Sequence, residues 1–185
     1  MEEKRKLIIG LVGETGSGKD TIANYLAEKY GVELMRFADP LKDTLKIYFD
    51  QFSKDDQQWL AMAFRNRFGN DILGRALKHK VEKANGLISI NGLRMPEDYN
   101  FVKSFSPSFI IYITADQKLR WERTTNRGEK TDDNMNFSYF QELEKAETER
   151  HIPEIGAKAD FTIRNEKDLA HMLGEVDKVM KEIMQ

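Results

Sequence analysis

The segment Gly13–Thr21, which reads Gly-Glu-Thr-Gly-Ser-Gly-Lys-Asp-Thr, constrains the fold more than any other part of the sequence. It follows a short, continuously apolar run at 7–12, and it precedes a stretch at 20–30 whose apolar residues recur at helical spacing. This pattern predicts a buried strand, a glycine-rich loop and a helix that ends before Gly31. A loop of this kind points its backbone N–H groups at phosphate oxygens beside the positive end of the helix. We therefore expect a phosphate-binding loop in which Lys19 reaches the terminal phosphates of a nucleotide.

The rest of the chain alternates between strand and helix patterns. Further strands are predicted at 32–37, 87–90, 109–113 and 161–163. The polar region 51–84 predicts two helices, with Trp59 among the candidate buried positions. The polar segment 127–136 is typical of a mobile flap, and a charged helix is expected after it, through Arg150. Five strands that alternate with helices predict one α/β domain with a parallel sheet covered on both faces.

The composition excludes several classes of protein. The 185 residues include 29 Lys and Arg against 31 Asp and Glu, so the formal net charge is -2. Nucleic acid is therefore not the expected partner, because the chain lacks the basic excess of nucleic-acid-binding proteins. The lack of cysteine excludes disulfides and thiolate metal sites, and no apolar run approaches the roughly 20 residues that cross a bilayer. We expect a cytoplasmic protein without a membrane partner.

Four further segments accompany the loop. They are Phe37-Ala38-Asp39-Pro40-Leu41-Lys42, Ile90-Asn91-Gly92-Leu93-Arg94, the arginines at 120, 123 and 127, and Ala159-Asp160-Phe161-Thr162-Ile163-Arg164-Asn165. Together with the loop they resemble the P-loop nucleotide kinases, and in particular the deoxynucleoside monophosphate kinase branch. Dephospho-coenzyme A kinase and phosphomevalonate kinase share parts of the same pattern. The resemblance spans nearly the whole chain.

The resemblance implies a P-loop NTPase fold in three αβα layers, with a five-stranded parallel sheet in the order 2-3-1-4-5. Residues 1–185 would form a single kinase domain, with a helical acceptor-binding insert at about 51–84 and a short lid at about 120–140. ATP and Mg²⁺ are the implied cofactors, small-molecule nucleotides are the implied substrates, and a monomer or homodimer is expected. The implied cofactor-binding residues are Gly13, Thr15, Gly16, Ser17, Gly18, Lys19, Asp20, Thr21 and Asn165.

Two carboxylates are candidates for holding the metal. Asp20 stands where the common form of the loop has Ser or Thr, and Thr21 follows one position later. The Asp20 carboxylate is a hard oxygen ligand suited to magnesium, and it is also favourable at a helix N-terminus without any metal. Asp39 has three readings: a magnesium ligand, a base for a hydroxyl acceptor, or a helix cap before Pro40. Related kinases often end the third strand in a carboxylate, whereas this chain has Asn91 there.

The candidate residues for binding the acceptor are Asp39, Lys42, Arg65 and Arg94. Arg94 follows a strand end and a glycine, from which a planar guanidinium can grip a phosphate with two bonds. Lys42 has two readings, a contact with the acceptor's phosphate or an exposed helical lysine. Arg65 and Arg67 lie in the insert, and residues two apart cannot share one helix face, so at most one of them is expected to bind.

Arg120, Arg123 and Arg127 are candidate catalytic residues, together with Lys19 and Asp39. The arginine spacing of three and four puts these three side chains on one side of a helix that enters the lid. Like charges repel there unless phosphates neutralise them, which favours lid arginines that close over the donor and stabilise the transferring charge. The alternative is that they pair with neighbouring carboxylates on a solvated face.

The sequence leaves the phosphoryl acceptor open. We expect transfer of the ATP γ-phosphoryl group to a nucleoside or deoxynucleoside monophosphate, because an acceptor phosphate needs no strong base. A hydroxyl acceptor, as in dephospho-coenzyme A kinase, would require Asp39 as the base. A nucleotide-binding regulator with little turnover is a further alternative. A nucleic-acid-modifying kinase is another, weakened by the near-neutral charge.

Overall fold

The computed structural model describes residues 6–127, 135–147 and 149–185, without the side chains of Lys54 and Arg127. Within these ranges the strands form a five-stranded parallel sheet. The strands are β1 (Leu7–Val12), β2 (Glu33–Arg36), β3 (Leu87–Asn91), β4 (Ser108–Thr114) and β5 (Phe161–Arg164). Their order in the sheet is β2-β3-β1-β4-β5, which confirms the prediction.

Helices cover both faces of the sheet. The helices in the described ranges are α1 (Lys19–Tyr30), α2 (Asp39–Tyr48), α3 (Lys54–Phe68), α4 (Ile72–Lys83), α5 (Pro96–Lys103), α6 (Gln117–Arg127), α7 (Phe137–Leu143), α8 (Ile152–Ala157) and α9 (Leu169–Ile183). Buried residues of α1 and α9 form the core on one face, and buried residues of α2, α3, α4, α5 and α8 form the core on the other. This arrangement is the expected three-layer αβα fold.

The central strand β1 explains why its sequence is continuously apolar. Ile8 and Val12 pack into one core, whereas Ile9 and Leu11 pack into the other. Successive side chains of a strand point to opposite faces, so a strand covered on both sides must be apolar at every position. The burial of β1 holds the glycine-rich loop at the centre of the sheet's carboxyl edge.

The helices of the insert and the end of α1 follow their sequence signals. The two helices expected within 51–84 are confirmed as α3 and α4. α3 begins at a capping box, in which Ser53 and Asp56 accept from each other's backbone N–H groups. α1 ends at Gly31, which has a left-handed φ of 66° and satisfies the last carbonyl groups of the helix. No helix in the described ranges combines the length and apolar character needed to span a bilayer.

Two expectations about the helices are wrong. The charged helix expected through Arg150 ends at Leu143, and the short helix α8 follows separately. Segment 144–151 contains a single apolar residue, Ala146, so no buried stripe supports the continuation of α7. Trp59, expected to be buried, is 69% exposed. α3 buries Leu60, and adjacent helix positions point about 100° apart, so Trp59 faces outward.

Candidate active site

A cavity of about 560 Å³ lies at the carboxyl edge of the sheet. Open α/β sheets bind ligands at this edge, because the strand ends and the helix N-termini meet there. The loop after β1 lines the cavity together with the start of α1. The other lining residues that matter below are Asp55 and Gln58 of α3, Arg94 after β3, Arg123 of α6, Glu144 and Glu149 after α7, and Asn165, Lys167 and Met172 after β5.

The loop between β1 and α1 has the tightly wrapped backbone that phosphate binding requires. Gly16 and Gly18 have φ angles of 80° and 93°, which residues other than glycine rarely adopt. A Cβ atom on Gly13 would lie 2.4 Å from the carbonyl oxygen of Ile113, so no side chain fits there either. All nine residues predicted to bind the cofactor line the cavity: Asn165 and the eight residues of Gly13–Thr21 other than Glu14. The loop can therefore present N–H groups to an anion at the N-terminus of α1.

Lys19, Asp20 and Asn91 form a three-way polar contact beside the loop. The Lys19 ammonium donates to Asn91 Oδ1 at 2.7 Å and to Asp20 Oδ1 at 3.1 Å. Asn91 Nδ2 also donates to Asp20 Oδ1, at 3.0 Å. Burial lowers the pKa of Lys19, although the neighbouring Asp20 opposes this effect. Burial also acts to raise the pKa of Asp20, but the charge and hydrogen bond of Lys19 lower it to about 2. The site thus holds an ionised carboxylate beside Lys19, the lysine predicted to bind phosphate.

Glu14 ties the loop to strand β4. Its Oε1 accepts a hydrogen bond from the Tyr112 hydroxyl and another from Thr114 Oγ1 at 3.4 Å. Burial and the hydrogen bond to Glu14 raise the pKa of Tyr112 to about 12, so the hydroxyl stays a donor at neutral pH. Glu14 Oε2 is buried and has no hydrogen-bond partner in the described part of the chain. The second residue of the loop is therefore anchored from below the phosphate site.

Arg120 lies underneath the loop and does not line the cavity. It is 5% exposed, and it donates to the carbonyl oxygens of Ala115 at 3.0 Å and Thr15 at 3.2 Å. Its guanidinium also forms an ion pair with Glu144, just after α7. This arginine joins the loop to α6 and to the end of α7. The structure therefore gives Arg120 structural partners, and its predicted catalytic role stays a prediction.

The other two candidate lid arginines differ from Arg120. Arg123 lines the cavity, and its Nη1 atom is buried with no hydrogen-bond partner among the described residues. A buried guanidinium N–H that lacks an acceptor is costly, so an anion entering the cavity would satisfy it. The side chain of Arg127 lies outside the described residues, as does most of the predicted lid, 128–134.

Arg94 is the candidate acceptor residue that lines the cavity. Its guanidinium forms an ion pair with Glu149, and both side chains lie on the cavity wall. Its backbone N–H donates to Asp98 Oδ2 at 2.9 Å, and the next N–H, of Met95, donates to the same oxygen at 3.0 Å. Asp98 thus fixes the backbone from which Arg94 reaches the cavity.

The other three candidate acceptor residues lie outside the cavity wall. Arg65 is buried, and its Nη2 lies 3.8 Å from Asp98 Oδ2. Asp39 begins α2, and its carboxylate turns back to accept from the backbone N–H of Arg36 at 2.8 Å. This N–H precedes α2, and the helix has no side-chain cap, so the contact is not the expected helix cap. Lys42 lies one turn further along α2. Of the four candidate acceptor residues, Arg94 lines the cavity, whereas Arg65 contacts the same Asp98 oxygen that accepts from the Arg94 backbone.

Asn165 forms the opposite boundary of the site. Its Nδ2 donates to the carbonyl oxygen of Ser17 at 2.9 Å, which joins the end of β5 to the phosphate loop. An added Cβ on Gly18 would lie 2.5 Å from the same Nδ2 atom, so the loop and Asn165 are in close contact. Lys167 and Met172 continue this wall of the cavity with mixed polar and apolar character. A wall of this composition suits the flat face of a nucleotide base.

Sequence reasoning missed two acidic residues of the site. Glu14 stands inside the loop motif, but its partner Tyr112 is 98 residues away, and no local pattern connects them. Glu149 belongs to the charged helix expected through Arg150, yet it pairs with Arg94 on the cavity wall. A carboxylate in a charged run carries no local signal for such a long-range partner.

A known family covers most of this fold. The family model described as "AAA domain" matches residues 9–150, from β1 to the segment before α8. The chain belongs to this family. The match and the structural likenesses described next confirm the predicted membership of the P-loop nucleotide kinase type of superfamily.

Proteins similar to this AAA-domain chain match it along almost its full length. A UPF0200 protein of Methanocaldococcus jannaschii is 28% identical over 181 residues, which cover 96% of this chain and 91% of that protein. A UPF0200 protein of Sulfurisphaera tokodaii is 26% identical over 177 residues, which cover 96% of this chain and 97% of that protein.

Solved kinase structures share the fold. The shikimate kinase of Bacteroides thetaiotaomicron superposes with a TM-score of 0.65 at 15% identity, over 97% of this chain and 99% of that one. The shikimate kinase of Aquifex aeolicus superposes with a TM-score of 0.59 at 20% identity, over 95% of this chain and 96% of that one. At these identities the likeness establishes the P-loop kinase fold.

Proposed function

We propose that this protein transfers the γ-phosphoryl group of ATP, with Mg²⁺, to a nucleoside or deoxynucleoside monophosphate. The observation that carries the proposal is the extent of the cavity. It runs from Asn165 past the phosphate loop and Lys19 to Arg94 and α3. A site for a donor nucleotide and a site for a second, anionic substrate can therefore adjoin at the lysine.

The donor end of the cavity is suited to the triphosphate of ATP. The loop amides and Lys19 supply positive partial and full charge, and Arg123 adds a guanidinium whose Nη1 has no acceptor within the described chain. Phosphoryl transfer needs little covalent chemistry from the protein, so positioning and charge neutralisation carry most of the catalysis. Lys19 and the loop would hold the terminal phosphates, and Arg123 would neutralise charge that develops on the transferring group.

The residues beside Lys19 fit a magnesium ion by their chemistry. Asp20 offers a carboxylate and Asn91 an amide oxygen, and hard cations prefer such oxygen ligands. When bound, the ion supplies neutralisation of charge on the donor phosphates. Asp20 and Asn91 are the side chains that would hold it.

The acceptor end favours a phosphate over a hydroxyl. Arg94 presents a planar guanidinium to the cavity, which can hold an acceptor phosphate once Glu149 gives way to it. From the sequence, Asp39 was the base expected for a hydroxyl acceptor. Its carboxylate accepts from the backbone N–H of Arg36, and it does not line the cavity. A monophosphate acceptor needs no such base.

A hydroxyl acceptor is the second candidate. Two solved structures of the same fold are named shikimate kinases, and the carboxylates of Asp55 and Glu149 on the cavity wall can accept a proton. Dephospho-coenzyme A and shikimate are therefore informative acceptors to compare with the monophosphates.

The test is ADP release from Mg-ATP across a panel of nucleoside monophosphates, deoxynucleoside monophosphates, dephospho-coenzyme A and shikimate. One monophosphate should stimulate release, and Lys19→Met should lower the stimulated rate by about 100-fold or more. Lys46→Met is the matched control, because Lys46 is exposed on α2 and outside the cavity wall. Arg94→Met should raise the KM for the monophosphate by about tenfold or more, from the loss of a charge-assisted contact.

Each contrary outcome points to a different function. Stimulation by dephospho-coenzyme A or shikimate alone would replace the proposal with the hydroxyl acceptor. Tight ATP binding without turnover on any acceptor would favour a nucleotide-binding regulator.

A further inference from the structure

Two polar side chains from distant parts of the chain meet where a P-loop protein holds its metal. Asp20 follows the lysine of the loop, and Asn91 is the last residue of β3. They are 71 residues apart in sequence, yet Asn91 Nδ2 lies 3.0 Å from Asp20 Oδ1. Their proximity therefore comes from the fold and not from a local motif.

The residue types at these two positions are the reverse of the common arrangement. P-loop NTPases hold Mg²⁺ with a Ser or Thr hydroxyl directly after the loop lysine and with an Asp from a neighbouring strand end. That arrangement has a neutral oxygen on the loop and a carboxylate on the strand. Here Asp20 gives the loop the carboxylate, and Asn91 gives the strand the neutral oxygen. The pair keeps one negative charge and two oxygen-bearing side chains.

We propose, building on the phosphotransfer function above, that Asp20 and Asn91 have exchanged these roles and together form a divalent-cation site. Asp20 supplies the charged oxygen ligand and Asn91 Oδ1 the neutral one. The exchange would explain why the strand-end carboxylate is missing without loss of the metal site.

The Lys19 ammonium already acts as the cation of this site. It contacts both candidate ligand oxygens, Asn91 Oδ1 at 2.7 Å and Asp20 Oδ1 at 3.1 Å. In the proposed donor complex the same ammonium turns to the nucleotide phosphates. Asp20 and Asn91 then lose their cation, at the moment when phosphate charge arrives beside the carboxylate. A divalent cation at these two oxygens restores the balance of charge and releases Lys19 for the phosphates.

The charge of Asp20 separates this proposal from a helix-terminus role. A carboxylate in the first turn of α1 stabilises the helix dipole whether or not a metal is bound. A carboxylate that holds a metal affects ATP binding in opposite directions in the presence and in the absence of the metal. Without the metal it repels the phosphates of ATP, and with the metal it strengthens their binding.

The experiment measures binding, so it does not depend on turnover. Mn²⁺ affinity is measured by electron paramagnetic resonance in the presence of ATP, and ATP affinity is measured by calorimetry with and without Mg²⁺. The variants are Asp20→Ser, Asn91→Asp and the double variant Asp20→Ser/Asn91→Asp, which recreates the common arrangement. Ser is a residue that the common form of the loop has at this position, and far-ultraviolet circular dichroism confirms that each variant is folded.

The proposal expects a reciprocal pattern. Asp20→Ser should lose Mn²⁺ affinity by tenfold or more, and it should bind metal-free ATP at least as tightly as the wild type. The double variant should recover Mn²⁺ affinity to within about threefold of the wild type, since it again has one carboxylate and one neutral oxygen. Asn91→Asp alone should weaken metal-free ATP binding, because two adjacent carboxylates face the phosphates.

Two results would overturn the exchange. One is an Asp20→Ser variant with unchanged Mn²⁺ affinity, and the other is a double variant as weak as Asp20→Ser. An acceptor panel without turnover, combined with the reciprocal binding pattern, would reject the proposed phosphotransferase while leaving the metal site in place.

Discussion

Replacing Arg120 with methionine tests whether this arginine supports the fold or the chemistry. Arg120→Met keeps the length of the side chain but removes the ion pair with Glu144 and the hydrogen bonds to the carbonyl oxygens of Thr15 and Ala115. Removing one partner of a buried ion pair typically costs 3–5 kcal/mol, about half of the stability of many domains. The Glu144 side chain is 20% exposed, so water partly solvates the charge left behind. We therefore expect a loss of about 3 kcal/mol in the free energy of unfolding.

The assay is equilibrium unfolding in urea followed by circular dichroism, extrapolated to water. Arg123→Met is the control on the same helix, and it should not lower the free energy of unfolding, because it removes a buried guanidinium N–H that has no acceptor in the described part of the chain. Adding Glu144→Gln to Arg120→Met should recover at least about 1 kcal/mol, because the double variant no longer holds an uncompensated charge. A stability of Arg120→Met within about 0.5 kcal/mol of the wild type would refute the structural role.

Two further predictions concern packing and pH. An added Cβ on Gly156 would lie 2.7 Å from Tyr112 ring carbons, whereas Gly174 in α9 has open space. In urea unfolding, Gly156→Ala should therefore lower the free energy of unfolding by about 1–2 kcal/mol, and Gly174→Ala should raise it by up to about 1 kcal/mol. Two changes in the same direction would contradict the packing argument. The hydrogen bond from Lys29 lowers the pKa of Asp177 in the folded protein below its ordinary value of 3.8. Ionised Asp177 therefore stabilises the fold above pH 3.8, and this stabilisation is lost as the pH falls through the pKa of the folded state. Urea unfolding should show Asp177→Asn less stable than the wild type at about pH 6 and closer to it at about pH 2, and a constant difference would exclude this linkage.

The architecture was predictable because its signals are local. The apolar run before Gly13 and the periodic residues up to Gly31 define a strand, a loop and a helix within one short stretch. The same alternation recurs along the chain, and short connections between parallel strands leave few topologies to choose from. The sequence pattern therefore predicted the five parallel strands, and the resemblance to the P-loop nucleotide kinases implied their order in the sheet.

The candidate site was predictable at the loop and less so around it. Every residue of the loop motif that was predicted to bind the cofactor lines the cavity. The arginines were different, because three residues with equivalent spacing need not have equivalent surroundings. Arg120 lies in the first turn of α6 and forms an ion pair with Glu144, whereas Arg123 lines the cavity one turn later. Arg94 pairs with Glu149 across 55 positions of sequence, and helical periodicity carries no information about such pairs.

The position of Arg120 also has a thermodynamic consequence for how the protein responds to ligands. A single guanidinium holds the Thr15 carbonyl of the phosphate loop and the Glu144 carboxylate beyond α7. If nucleotide binding changes the strength of either contact, the two regions are coupled. Such coupling is reciprocal, so any factor by which the nucleotide stabilises the end of α7 is the factor by which a change at that helix alters nucleotide affinity. A substitution at Glu144 would then alter the affinity for the proposed nucleotide through the contact that Arg120 makes with Thr15.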